Sequence, residues 1–209
     1  MNHYNPQKHH RRSIRLQGYD YSQEGLYFIT ICCQDRAHLF GKVVDGEMIL
    51  NIYGEIAQKE WQNTNEIRDN VVLHEFVVMP NHFHSILEIK FQKGKNEIGK
   101  FQSPSQTVGA IIRGYKIATI KKIKDYILNT GEKINDSTGE LQFAPTAPTA
   151  PTAPTAPTAP TEKIKELDFK IWQRNYYEHI IRNEEAYARI SDYIRDNPKR
   201  WNEDKFYGI

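Results

Sequence analysis

Two histidines one residue apart, His82 and His84, stand at the head of an apolar run, Val-Val-Met-Pro-Asn-His-Phe-His-Ser-Ile-Leu-Glu-Ile, that extends from Val77 to Ile89. In a β-strand successive side chains point to opposite faces, so His82, His84 and Ile86 share one face and Phe83, Ser85 and Leu87 the other. Two imidazoles converging on a buried patch are either ordinary strand histidines or ligands of one divalent ion, imidazole being a common ligand for first-row metals. With eight histidines in 209 residues the spacing alone selects neither reading. The apolar surroundings weigh toward a shared partner, because an unpaired imidazole there is costly.

A second pair of reactive types lies near the C-terminus. Tyr193 and Asn197 are four residues apart in a helical pattern and so are neighbours on one face, beside the apolar stripe of Tyr187, Ile190 and Ile194. If that face packs over the sheet carrying His82 and His84, Asn197 completes a three-ligand site and Tyr193 stands beside the ion as a nucleophile. If not, they are a surface tyrosine and a helix-ending asparagine. Tyr115 is the competing nucleophile, but it sits on an apolar stripe and has Thr119, a poorer ligand, four residues on. Tyr176 and Tyr177 fit packing or stacking on bases better than nucleophilic attack.

The elements that must position these groups follow from pattern. Leu26 to Cys33 is rich in β-branched and aromatic residues and reads as a central strand. Asp45-Gly46 is a hairpin turn between two short strands. Ile52, Ile56, Ala57 and Trp61 recur at helical spacing and predict a core helix from Ile52 to about Trp61. Val71 to Met79 is a strand pairing with the histidine strand through the turn at Pro80-Asn81. A second helix starts near Ser105, with Val108, Ile111, Ile112, Tyr115, Ile120, Ile123 and Ile127 as its apolar stripe. Its basic residues, Arg113 and Lys116 among them, form either a solvated face or a surface that tracks phosphates. Phe169 to Ile181 reads as a strand or extended segment, and Asn183 caps a last helix that Pro198 ends.

Residues 144–161 are six tandem Ala-Pro-Thr triplets. Proline at every third position argues against helix and central strand and favours extended polyproline II, so this low-complexity insertion reads as a spacer. The chain therefore divides into residues 1–143, a basic arm plus the metal-ligand part of the core; the repeat linker 144–161; and residues 162–209, a strand and nucleophile helix completing the same domain.

The charge balance of +2 does not announce a nucleic-acid partner, but the cations are unevenly placed. Arg11, Arg12 and Arg15 with Tyr19 form an arm that is either a solvated terminus or a phosphate-neutralising segment with a stacking tyrosine. Cys32 and Cys33 are adjacent, would point to opposite faces and fit buried reduced thiols. With no apolar signal segment and no apolar stretch of bilayer length, a cytoplasmic protein without membrane insertion is expected.

Several stretches together resemble one family: Arg-Arg-Ser-Ile-Arg-Leu-Gln-Gly-Tyr-Asp-Tyr near the start, Val-Met-Pro-Asn-His-Phe-His, Ile-Ile-Arg-Gly-Tyr-Lys, Ile-Trp-Gln-Arg-Asn-Tyr-Tyr-Glu-His-Ile-Ile-Arg-Asn and Asp-Tyr-Ile-Arg-Asp-Asn-Pro. The chain resembles the REP-associated tyrosine transposases, relatives of the single-tyrosine transposases of the IS200/IS605 group. The resemblance implies an α+β, ferredoxin-like core with a central antiparallel sheet and helices packed on it. It implies His82 and His84 as metal ligands, Asn197 as the third, Tyr193 as catalytic nucleophile, and Mg²⁺ or Mn²⁺ as the ion. The implied reaction is cleavage and rejoining of single-stranded, hairpin-containing DNA through a 5′-phosphotyrosine, by a monomer or homodimer. Arg11, Arg12, Arg15, Tyr19, Arg113, Lys116, Arg174 and His179 are the candidate DNA contacts. The chief rival is a non-catalytic nucleic-acid-binding module on a ferredoxin-like sheet. A structural zinc protein fits less well, since closed zinc sites usually have four protein ligands, typically with cysteine.

Overall fold

The computed structural model describes residues 23–91, 107–135 and 158–207. Its regular elements are β1 (Gly25–Cys32), β2 (Gly41–Val44), β3 (Glu47–Leu50), α1 (Ile52–Ile67), β4 (Val71–Val78), β5 (His82–Ile89), α2 (Val108–Asn135), α3 (Thr158–Glu166), β6 (Tyr177–Ile181) and α4 (Glu184–Asp196). Four strands make one antiparallel sheet in the order β4-β5-β1-β6, and β2 pairs with β3 as a separate hairpin. With that hairpin and α3 set aside, the succession β1-α1-β4-β5-α2-β6 in this strand order is the ferredoxin-like α+β arrangement.

Strand β1 lies at the centre because both of its faces are covered. Tyr27, Ile29 and Ile31 are fully buried in the main core, while Phe28, Thr30 and Cys32 alternate onto the other face. Helices α1 and α2 close the first face: the Trp61 ring lies 4.9 Å from Phe83 and 5.1 Å from Tyr115, and Tyr115 5.3 Å from Phe83. Burying side chains of this size contributes about 1.5–3 kcal/mol each, which holds helices that would be marginal alone. Helix α4 covers the other face, where Ile86, Ile181 and Ile194 are buried against Tyr187 and Ile190.

Local signals explain the ends of the elements. Asn51 caps α1 by accepting from the backbone N–H groups of Tyr53 and Gly54, and Asn183 caps α4 by accepting from Ala186. Asp45 and Gly46 both adopt positive φ, 51° and 78°, the left-handed pair that a two-residue hairpin turn requires.

Four expectations are revised. Helix α1 continues to Ile67 instead of ending near Trp61, since Thr64 remains buried on the same face. Helix α2 begins at Val108, where the Thr107 hydroxyl accepts from the Ala110 N–H; Ser105 lies outside the described residues. Of the stretch Phe169 to Ile181 only β6 is a strand, preceded by an isolated bridge between Cys33 and Trp172. The last repeat residues, Thr158 to Thr161, start α3 instead of continuing an extended spacer. Pro160 is the third residue of that helix, in the first turn, where the missing N–H has no intrahelical partner to lose. Residues 144–157 and the basic arm lie outside the described residues.

Candidate metal and nucleophile site

The site is built where β5, β1 and α4 meet. On β5, His82 and His84 point to the α4 side, and the cross-strand register sets Thr30 opposite His84 and Cys32 opposite His82. Both histidines are buried, 0% and 1% exposed. The Thr30 hydroxyl lies 2.8 Å from His84 Nδ1, and His82 Nδ1 lies 2.9 Å from Asn81 Oδ1. An amide oxygen only accepts, so His82 Nδ1 carries the proton and its Nε2 holds a lone pair. Asn81 is itself fixed, because its Nδ2 donates to the Phe206 carbonyl at 2.9 Å.

Helix α4 brings Tyr193 and Asn197 to the same place, one turn apart. The Tyr193 hydroxyl lies 3.2 Å from His84 Nε2, and its ring centroid 5.2 Å from that imidazole. Asn197 is 2% exposed, and its Nδ2 donates to an Asp204 carboxylate oxygen at 3.1 Å. That bond turns the amide so that Oδ1 is buried without a hydrogen-bond partner, and His82 Nε2 is likewise buried and unpartnered. Two orphaned buried acceptors cost free energy unless something satisfies them. A nitrogen lone pair and an amide oxygen, beside His84 and a carboxylate, form a donor set that fits a divalent cation.

Asp204 was not legible in the sequence. Its carboxylate and the two histidines offer ligand atoms that all lie within 4.8 Å of one another. It arrives on the segment after α4, which folds back so that the Phe206 ring lies tilted 4.5 Å from His82 and Trp201 lies 5.8 Å from the same ring. No periodicity marks that segment, and its place depends on the burial of Trp201 and Phe206 with Met79.

Electrostatics follow from burial. Desolvation lowers the His82 pKa to about 4, opposed by the Asp204 charge and by Asn197, and desolvation together with the neighbouring His82 holds His84 well below its usual value. Both rings are therefore neutral and able to ligate. The Tyr193 phenol is pushed up to about 12, by desolvation first and then by the Asp204 charge. A cation in this site would pull the phenol's pKa back down, against both burial and the Asp204 charge.

Beside these groups opens a cleft of about 740 Å³, lined by Tyr193, Asn197, Asp204, Arg200, Lys205 and Tyr176 among others. The Arg36 guanidinium and the Lys205 ammonium lie over the Phe206 ring, 4.6 and 4.9 Å from its centroid.

The remaining candidates scatter. His179 is exposed on the edge strand β6, opposite Phe28 in register and therefore on the site's face of the sheet, and Arg174 is exposed just before that strand. Arg113 stands exposed on α2, in the layer behind the sheet. The Lys116 ammonium donates to the carbonyls of Gln173, Arg174 and Asn175 at 2.8, 3.4 and 3.2 Å, so its charge ties down the wall of the cleft. Tyr115 is 2% exposed between Trp61 and Phe83, in the place of a core residue. Arg11, Arg12, Arg15 and Tyr19 lie outside the described residues.

No family model matches the chain. A Haemophilus influenzae protein described only as uncharacterized is 38% identical over 213 residues, an alignment covering 98% of this chain and 97% of that one. A solved structure of a REP-associated tyrosine transposase bound to a REP hairpin superposes with a TM-score of 0.50 at 16% identity, covering 92% of this chain and 77% of the other, which shows a shared fold. A Deinococcus radiodurans crystal structure, provisionally described as a transposase, covers 88% of this chain and 97% of its own with a TM-score of 0.43 at 12% identity.

Proposed function

This chain belongs to one family with the Haemophilus influenzae protein, and we propose that it cleaves and rejoins single-stranded DNA through a covalent tyrosine link. The observation that carries this reading is the approach of the Tyr193 hydroxyl to His84 Nε2 at 3.2 Å within one chain, beside the orphaned acceptors of His82 and Asn197.

In the reaction, the Tyr193 oxygen bonds to phosphorus, the bond from phosphorus to the 3′ oxygen breaks, and the phenol's proton ends on the leaving 3′-hydroxyl. The product is a 5′-phosphotyrosine, whose retained ester energy lets a second 3′-hydroxyl reverse the step and join strands. His82, His84 and Asn197 would hold Mg²⁺ or Mn²⁺, which when bound supplies Lewis-acid stabilisation of the phosphate and of the phenolate. His82 keeps its lone pair toward the site through Asn81, and Thr30 fixes the ring of His84. α4 holds the nucleophile beside His84.

An unpaired strand adopts the bend that in-line attack needs at lower cost than a duplex. The shared fold with a transposase solved on a REP hairpin supports a hairpin-bearing substrate. Arg200 and Lys205 at the cleft, with Arg174 and His179 beside it, would contact phosphates and bases, and the arm at Arg11, Arg12, Arg15 and Tyr19 would add affinity. Arg113 would reach only DNA that wraps behind the sheet. Among the described residues no helix is long and apolar enough to cross a membrane, and a cytoplasmic, DNA-bound protein is the setting this activity requires.

The test is a nicking assay on hairpin, plain single-stranded and duplex oligonucleotides with Mg²⁺ or Mn²⁺. Hairpin-bearing single strands are expected to be cut, with a covalent DNA adduct that disappears in Tyr193→Phe. Equal cutting of all three substrates, or an adduct surviving in Tyr193→Phe, would overturn the reading.

A further inference from the structure

We propose that Asp204 is a fourth protein ligand of the divalent ion, delivered to the site by the segment that follows α4; this rests on the metal-dependent reading above. Mg²⁺ takes its ligands at about 2.0–2.1 Å, so atoms bound to one such ion lie up to about 4.2 Å apart. The carboxylate and the His82 and His84 nitrogens already lie within 4.8 Å of one another, so small side-chain shifts close them on one ion.

The carboxylate is also prepared for the task. Its Oδ1 accepts from the Phe206 backbone N–H at 2.7 Å and its Oδ2 from Asn197 Nδ2 at 3.1 Å, which orients the group and leaves lone pairs on both oxygens. The second bond acts on another ligand as well: with Nδ2 committed to Asp204, Asn197 presents the unpartnered Oδ1. One residue thus supplies a donor and aims its neighbour.

Charge makes the residue necessary. Two neutral imidazoles and an amide oxygen carry no net charge, whereas Mg²⁺ and Mn²⁺ favour anionic oxygen ligands. Asp204 contributes the one negative charge of the donor set. It also provides cover: the Phe206 ring, two residues on, packs tilted against His82, so the segment that brings the carboxylate shields the imidazole from water.

The experiment is a Mn²⁺ titration of the full chain, followed by calorimetry and by electron paramagnetic resonance of the free ion, without DNA. Wild type, Asp204→Asn, Asp204→Glu and His82→Ala are compared, each with a thermal melt in chelator. Asp204→Asn is expected to weaken Mn²⁺ binding at least about tenfold, Asp204→Glu to recover part of that loss, and His82→Ala to bind most weakly. Binding by Asp204→Asn within twofold of wild type, while His82→Ala loses it, would overturn the role of Asp204 and leave the metal reading standing. Equal losses in Asp204→Asn and Asp204→Glu would mark a structural residue and also overturn it. A wild-type chain that binds no Mn²⁺ would overturn both.

Discussion

His82 and His84 are neutral because burial has already removed their protons. The cost of that neutrality appears as a dependence of stability on pH. With a folded pKa near 4 against an ordinary 6.5, the unfolded chain binds more protons than the folded one between those values. The contribution of His82 to stability is therefore complete above about pH 6.5 and is lost as pH falls toward 4, with His84 shifted in the same direction. In chelator, urea unfolding near pH 5 should give a free energy lower than near pH 7, by about 2 kcal/mol from His82. The His82→Gln variant should flatten that slope. A wild-type profile that is flat, or that rises toward acid, would count against buried neutral histidines. The residue level also shows where sequence reasoning stops. Alternation along β5 was enough to put His82 and His84 on one face, and four-residue spacing enough to pair Tyr193 with Asn197. Thr30 carried no such signal, because its place opposite His84 is set by the β1 to β5 register, which depends on what the whole sheet buries.

Among the elements, α4 was the most readable and α3 the least. Asn183, the two glutamates after it and the stripe of Tyr187, Ile190 and Ile194 state the start, polarity and buried face of α4. For α3, the proline period argued against a helix, and the first-turn tolerance for proline reversed that conclusion over the last few residues. The end of the repeat is thereby tied to the core: the Thr161 hydroxyl lies 2.6 Å from the Tyr53 hydroxyl of α1, and Ile164 is fully buried. Removing residues 144–157 should leave the thermal midpoint equal or slightly higher, since a shorter connection between α2 and α3 lowers the closure cost by about 1 kcal/mol. Extending the deletion through Thr161 should lower it, because the helix start and the hydroxyl contact are lost together, at about 0.5–1.5 kcal/mol for the hydrogen bond. Differential scanning calorimetry of the two deletions decides the matter, and equal midpoints would show that the last triplet is only spacer. Lys116 illustrates the same limit: a lysine on a helix surface reads as solvated or phosphate-seeking, and only the tertiary structure sets three carbonyls around it.

Across the whole molecule, the individual strands and helices were legible because each carries its own period, while the ferredoxin-like plan that joins them came with the family resemblance. The closing of the site was not legible, since Asp204 and Phe206 depend on contacts between the far C-terminus and the tip of the β4–β5 turn, at Asn81. The repeat array stands between the residues that bear the histidines and those that bear the tyrosine, yet β6 pairs with β1 and Tyr193 meets His84 of its own chain. In genetic terms, the proposed function in this cis arrangement would make each polypeptide self-sufficient for cleavage. Two inactive variants, His82→Ala and Tyr193→Phe, should fail to complement when mixed or co-expressed, and the specific activity of wild type should stay constant on dilution. Restored nicking in the mixture would mean that tyrosines are exchanged between subunits. Without such exchange, a cell carrying one intact and one damaged copy should show activity in proportion to the intact copy alone.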